Sequence, residues 1–252
     1  VAERNALRPP VLSGLIHPAT SIDDVIRTMR AIDGALPDTD GVKWFNHLYL
    51  KVTEALLADE TAWRDLPFLE RLDVIFAGLY FDAIVQWEAH QELTPHAWRP
   101  LFRARFETGL ERIQFALAGM NAHINHDLAK ALDSISTQDG DFPERGGSRY
   151  ADFARVNDVL ERTETVVRSE LSTGLVGRID VALGDLDSLL VMWNVRKARE
   201  AAWTNGEVLW RLRLLPMLRR DFLERLDRLT GFAGRGLLCR VRPGLSPSRE
   251  SL

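Results

Sequence analysis

Apolar residues recur at three- and four-residue steps along most of the chain, and no stretch sustains the alternation of a half-buried strand. That periodicity predicts an all-α protein. Val25, Met29 and Ile32 mark a short helix that opens at Ser21, an N-cap residue followed by Asp23 and Asp24, and closes near Gly34 or Pro37. Trp44, Phe45, Leu48, Val52 and Leu56 form the stripe of a second helix behind an Asp-rich cap. A third opens at Pro67 and is apolar around most of its circumference from Val74 to Val85, Tyr80 and Asp82 being the polar exceptions. Pro95 and Pro100 begin a further helix expected to reach Leu132, about 33 residues and about 50 Å long, with Gly109 or Gly119 as places for a kink. The segment TQDGDFPERGGS (137–148) reads as a surface loop. Beyond it the pattern predicts a helix over 150–169 with Phe153, Val156, Leu160 and Val167 inward. One or two long helices follow over 174–213, with an interruption at Asn205–Gly206, and a last helix starts at Pro216 and carries Met217, Phe222, Leu226 and Leu229.

The expected architecture is therefore a single-domain bundle of about seven helices, some of them long. Residues 21–232 form the domain. Residues 1–20, with Pro9, Pro10 and Pro18, read as an extended arm, and 233–252, rich in Gly, Arg, Pro and Ser, as a disordered tail.

Composition narrows the function classes. The net charge of −4, with basic residues scattered among acidic ones, gives nucleic acid no electrostatic footprint. No run of about 18 apolar residues is present to suggest a membrane span. The single cysteine, Cys239, excludes a disulfide framework and a cysteine metal cluster. The expectation is a cytoplasmic protein whose partner is a small-molecule ligand, its oligomeric state open. Gly-rich phosphate loops and Ser nucleophile elbows do not occur.

The stretch IQFALAGMNAHINHDLAKAL (113–132) departs from this ordinary picture. It is apolar on nearly every side, yet carries Asn121, His123, Asn125, His126 and Asp127. Helical spacing puts His123, His126 and Asp127 on one face and Asn121 with Asn125 on a neighbouring one. An imidazole and a carboxylate one turn apart suit two kinds of chemistry. They are ligands for a divalent metal ion, to be completed from another helix by Asp82, Asp73 or His47, or they are an acid–base pair. The bland alternative is a buried polar network that fixes helix register. Trp193, Arg196, Arg199 and Trp203 form a second constellation, in which Arg stacked on Trp would hold an anionic or planar ligand. There the alternative is Arg paired with a neighbouring helix while Trp packs inside.

The doublet His126–Asp127 resembles that of HD-domain phosphohydrolases, helical metal-dependent enzymes, with His90 or His96 upstream and Asp158 downstream as the further ligands. A broader resemblance rests on WFNHLYLKVTEAL, RLDVIFAGLYFDAI and FALAGMNAHINHDLAKAL, together with the run from Ala198 to Trp203. These segments look like the DUF5995 family, helical proteins of unassigned function, over roughly residues 20–215. In that family's pattern the residue before the Asp is commonly apolar, where this chain has His126. The resemblance thus shifts weight to Asn121, His123, Asn125 and Asp127 as catalytic candidates. Tyr80, Asp82, Arg196, Arg199 and Trp203 are the substrate-binding candidates, and His123, Asp127 and His126 the metal candidates. The function read from the chain is a small-molecule enzyme using metal-assisted or acid–base chemistry. The alternative is a non-catalytic binding module with the cluster as scaffolding.

Overall fold

The structure, a computed structural model, describes residues 10–59, 62–172 and 194–240, with backbone alone for 164–172. The described residues form one all-helical body without strands. In order they are α1 (Ile22–Ala35), α2 (Gly41–Leu57), α3 (Leu66–Ala89), α4 (Arg99–Ala104) and α5 (Arg112–Ala122). A single π-helical turn (His123–Asp127) then joins α5 to α6 (Leu128–Asp139), followed by α7 (Ser148–Ser172), α8 (Val195–Arg211) and α9 (Pro216–Leu237).

Capping explains where several of these helices begin. The side chains of Ser21, Asp40, Asp65 and Asn194 each accept a backbone N–H of the helix they open, at Asp24, Val42, Phe68 and Lys197. At the far end of α6, Gly140 takes φ of 76°, the left-handed conformation that stops a helix.

The single long helix expected up to Leu132 is two helices. The chain leaves α4 at Arg105, whose guanidinium is held in a fork by the buried carboxylate of Asp40 and whose carbonyl accepts from Gly41 N–H. Gly109, at φ 85°, then turns it into α5. Gly119 is no kink either. A Cβ there would lie 2.2 Å from the Phe45 ring, so the glycine lets α2 and α5 approach closely. Gly206 likewise does not interrupt its helix. It sits against Ala129 and Leu132 and brings α8 onto α6.

The core runs through the middle of the bundle, with Trp98, Trp203, Tyr80, Phe45, Phe68 and Phe153 fully buried. Residues 10–20 are not a free arm throughout: Leu12 is buried, and Glu88 accepts the backbone N–H groups of Leu12 and Ser13. Helix α9 runs to Leu237, beyond the 232 at which the pattern ends the domain. It packs its later half on α4 and α5, while Met217, Leu229 and Phe232 are exposed. Residues 1–9, 241–252 and 173–193, including Trp193, lie outside the described residues.

Candidate active site

The organising stretch of the sequence is where the long helix changes type. Over His123–Asp127 the backbone is π-helical, and the Leu128 N–H reaches back five residues to the His123 carbonyl. Such a bulge re-aims the side chains around it and is frequent at functional sites.

Asp127, 1% exposed, is the hub. Its Oδ1 lies 2.7 Å from His126 Nδ1, and its Oδ2 lies 3.1 Å from His123 Nδ1 and 2.9 Å from Trp98 Nε1, which donates to it. Burial works against the carboxylate charge, but the two imidazoles outweigh it and hold the carboxyl well below its usual range. An ionised Asp127 makes Nδ1 of both rings the N–H donor. His123 is therefore the Nδ1–H tautomer with a lone pair on Nε2. Burial pushes its pKa down against the opposing pull of Asp127, so the ring is neutral.

Packing fixes that ring. Phe76 stacks on it with centroids 3.5 Å apart and planes 7° from parallel, and Tyr49 meets it edge-on at 4.7 Å. Phe45 and Trp98 close the cage. On its open side His123 lines an apolar cavity of about 110 Å³ between α2, α3, α5, the π turn and α7. Leu48, Val52, Leu72, Met120 and Ile124 make much of the wall, and Arg199 reaches in from α8. Four of the lining residues keep one buried polar atom without a hydrogen-bond partner: Tyr49 Oη, Asp73 Oδ2, His123 Nε2 and Arg199 Nε. Burial raises the Tyr49 hydroxyl far above its ordinary value and pushes Asp73 up to about 7.

The remaining candidates separate. Asn125 donates to Asn121 at 3.0 Å, and Asn121 donates to the Thr230 carbonyl at 2.9 Å, so this pair ties the π turn to α9 and does not line the cavity. His126 turns away from His123. Its Nε2 is 3.7 Å from Asp227, whose carboxylate also accepts the backbone N–H groups of His96 and Ala97. Tyr80 is buried behind Phe45 and Trp98, its hydroxyl 3.4 Å from Asn46. Asp82 is exposed, because residues two apart on a helix point about 200° from each other. Arg196 is exposed and paired with Glu161 and Asp158, and Trp203 packs among Phe142, Tyr150 and Phe153. The expected Arg–Arg–Trp face is therefore split, and only Arg199 enters the cavity.

Among the described residues no group of three or more His, Cys, Asp or Glu is arranged to hold a metal ion. Of the proposed outer ligands, His47 pairs with Asp33, while Asp73 stands in the cavity wall. Of the further ligands of the phosphohydrolase pattern, His90 and Asp158 are on the surface beside Glu92 and Arg196, while His96, the alternative to His90, is half-buried and gives its backbone N–H to Asp227. No described helix is long and apolar enough to cross a membrane.

A family model of unknown function, DUF5995, matches residues 22–240. The chain belongs to the DUF5995 family. The match reaches past residue 215 to take in α9, the helix that Asn121 and His126 both face. No curated protein and no solved structure matches the chain.

Neither Tyr49 nor the cage of Phe76 and Trp98 is a candidate in the sequence. Each is an ordinary core aromatic by its spacing, and only the packing of α2, α3 and α4 around one imidazole gives it a role.

Proposed function

We propose that this DUF5995 protein is a small-molecule enzyme in which His123 acts as a general base on a largely apolar substrate. The observation that carries the reading is His123 Nε2, a buried acceptor with no partner, on a residue that lines a cavity and on a ring whose other nitrogen is held by an ionised carboxylate. Buried polar groups are nearly always satisfied, so unpartnered atoms on four residues that line one cavity mark it as the place for water or a ligand. In the proposed step Nε2 takes a proton from the substrate or from a bound water. The imidazolium that forms is stabilised by Asp127, which keeps its own charge. Asp127 does not touch the substrate; it positions His123. Asp73 is the proton donor available in the cavity wall, and the Tyr49 hydroxyl beside His123 is a hydrogen-bond donor.

The divalent-metal form of this reading has less support, since both oxygens of Asp127 already serve three N–H groups. Scaffolding is the second reading, and the same contacts favour it, because the two imidazoles brace the π turn and the Trp98 N–H ties the start of α4 to it.

Turnover of a panel of short esters and carbonyl compounds by the full chain tests the proposal. His123→Gln should lower any turnover about 10²–10⁴-fold. Activity should also persist as pH falls through the ordinary histidine value of about 6.5, since burial holds His123 below it. Equal turnover by the variant sinks the general base. Metal bound at near-unit stoichiometry and lost in His123→Ala would replace it with metal-assisted chemistry.

A further inference from the structure

Arg199 is the cavity's other unusual resident. Its side chain is buried, with the residue 6% exposed, and its guanidinium lies 4.3 Å from the centre of the Phe153 ring. One nitrogen, Nη2, donates to the Phe153 carbonyl at 2.7 Å, whereas Nε has no partner. The other buried arginine among the described residues, Arg105, has a carboxylate in Asp40, and the half-buried Arg149 has Asp65 and Asp139. No carboxylate of the described residues forms an ion pair with Arg199. A buried cation without a counter-charge is costly, and burial alone pushes this guanidinium down to about 9.

The walls between Arg199 and His123 are aliphatic and aromatic, from Val156 and Leu160 on one side to Leu72 and Phe76 on the other. Binding cavities of this kind pair an apolar body with a few placed polar groups. We propose that the cavity binds a short apolar monocarboxylic acid, with the carboxylate on Arg199 and the apolar chain along the wall towards His123. Charge argues for the carboxylate. Arg199 is the only lining residue among those described that carries a positive charge, and His123 is neutral. One guanidinium balances one negative charge; a phosphate monoester brings close to two and would need a second cation. Size argues for a short chain of a few carbons, because a cavity of about 110 Å³ is on the scale of the roughly 150 Å³ engineered cavity that takes the six-carbon benzene, and the carboxylate itself sits against Arg199.

This inference rests on the cavity being the substrate site, but not on His123 being the base. Isothermal titration of the full chain with pentanoate, pentanol and pentyl phosphate tests it. Pentanoate should bind at least tenfold more tightly than the other two. Arg199→Met should abolish that preference while pentanol binding stays, and Arg199→Lys should restore part of it. His123→Gln should leave the preference intact. Equal binding of acid and alcohol, tighter binding of the phosphate, no binding of pentanoate, or a preference that survives Arg199→Met each overturns the proposal. The comparison of acid with alcohol needs only the wild-type chain, so it holds even if a variant fails to fold. A retained acid preference without turnover would leave Arg199 in place and remove the general base. Turnover lost in His123→Gln without any acid preference would do the reverse.

Discussion

Two of the polar centres buried among the described residues are finished differently. At the first, Asp40 and Arg105 satisfy one another. The carboxylate takes two guanidinium nitrogens and the Val42 N–H, and the Arg105 carbonyl takes the Gly41 N–H. Nothing is left over, and the centre's work is to bend the chain between α4 and α5 and to cap α2. The second, around the cavity, has its charges placed apart. Asp127 is satisfied by Trp98, His126 and His123, yet His123 Nε2, Tyr49 Oη, Asp73 Oδ2 and Arg199 Nε are not. A closed ion pair stabilises little beyond itself and specifies geometry. An open set of polar atoms around an apolar space gives up stability and creates a place for something to bind. Arg105 and Arg199 state the contrast in one residue type: the same buried guanidinium, one with a carboxylate and one without.

That contrast can be broken by substitution. The largest effect belongs to Arg105→Met, which strands Asp40 as an unpaired buried charge. Its urea unfolding midpoint should correspond to a loss of about 3–5 kcal/mol. Arg199→Met removes a charge that had no partner and forfeits one hydrogen bond to Phe153. Its loss should stay below about 1 kcal/mol, or turn into a gain. Similar losses in the two variants would erase the distinction between the centres.

Asp127→Asn comes next, at about 1–3 kcal/mol at neutral pH, because a neutral amide replaces the ionised acceptor. The sign with pH follows from the direction of the shift. Asp127 is held below its ordinary value when folded, so its contribution is whole above about pH 4 and disappears as pH falls towards the folded value. The gap between wild type and Asp127→Asn in thermal unfolding should therefore narrow on acidification below about pH 4. A constant gap would mean that charge is not what holds the two rings.

Asp73 has the opposite sign. Folded, it holds its proton up to about 7, so wild type loses stability as pH climbs from about 4, the unfolded value, to that point. Asp73→Asn mimics the protonated form. Its melting temperature should gain on wild type across that window and level off above it; a pH-independent difference would place the Asp73 carboxyl in water. The smallest effect is expected from Arg196→Ala, whose ion pairs with Glu161 and Asp158 are exposed. An unfolding midpoint that moves measurably would show that this surface pair does more than its solvation allows.

Much of the site was legible in the chain only as a list. Five polar residues in an apolar helix identify the stretch from Asn121 to Asp127, and His123 with Asp127 one turn apart survives as the central pair. What spacing misjudged is the grouping. Straight α-helical geometry joins His126 to His123 on one face, whereas the π turn lets Asp127 hold the two rings on different oxygens, with His126 towards Asp227 on α9. Asn121 and Asn125 read as site residues and serve as a tie to Thr230. Arg196, Arg199 and Trp203 share a periodicity, but only the position of α7 separates a surface ion pair from a buried, unpaired guanidinium.

By itself the sequence determined most of the helices, though not the break between α4 and α5 or the π turn, because amphipathic spacing and capping residues act over a few residues and can be read locally. It also determined that polar groups would be buried near His123. Tertiary structure alone decided which of them would be satisfied. A hydrogen-bond partner such as Trp98 or Thr230 lies 29 or 109 residues away along the chain, and nothing local encodes it. The cavity is likewise a property of α2, α3, α5, α7 and α8 meeting imperfectly. Whether His123 Nε2 and Arg199 Nε are buried with a partner or without one is settled there.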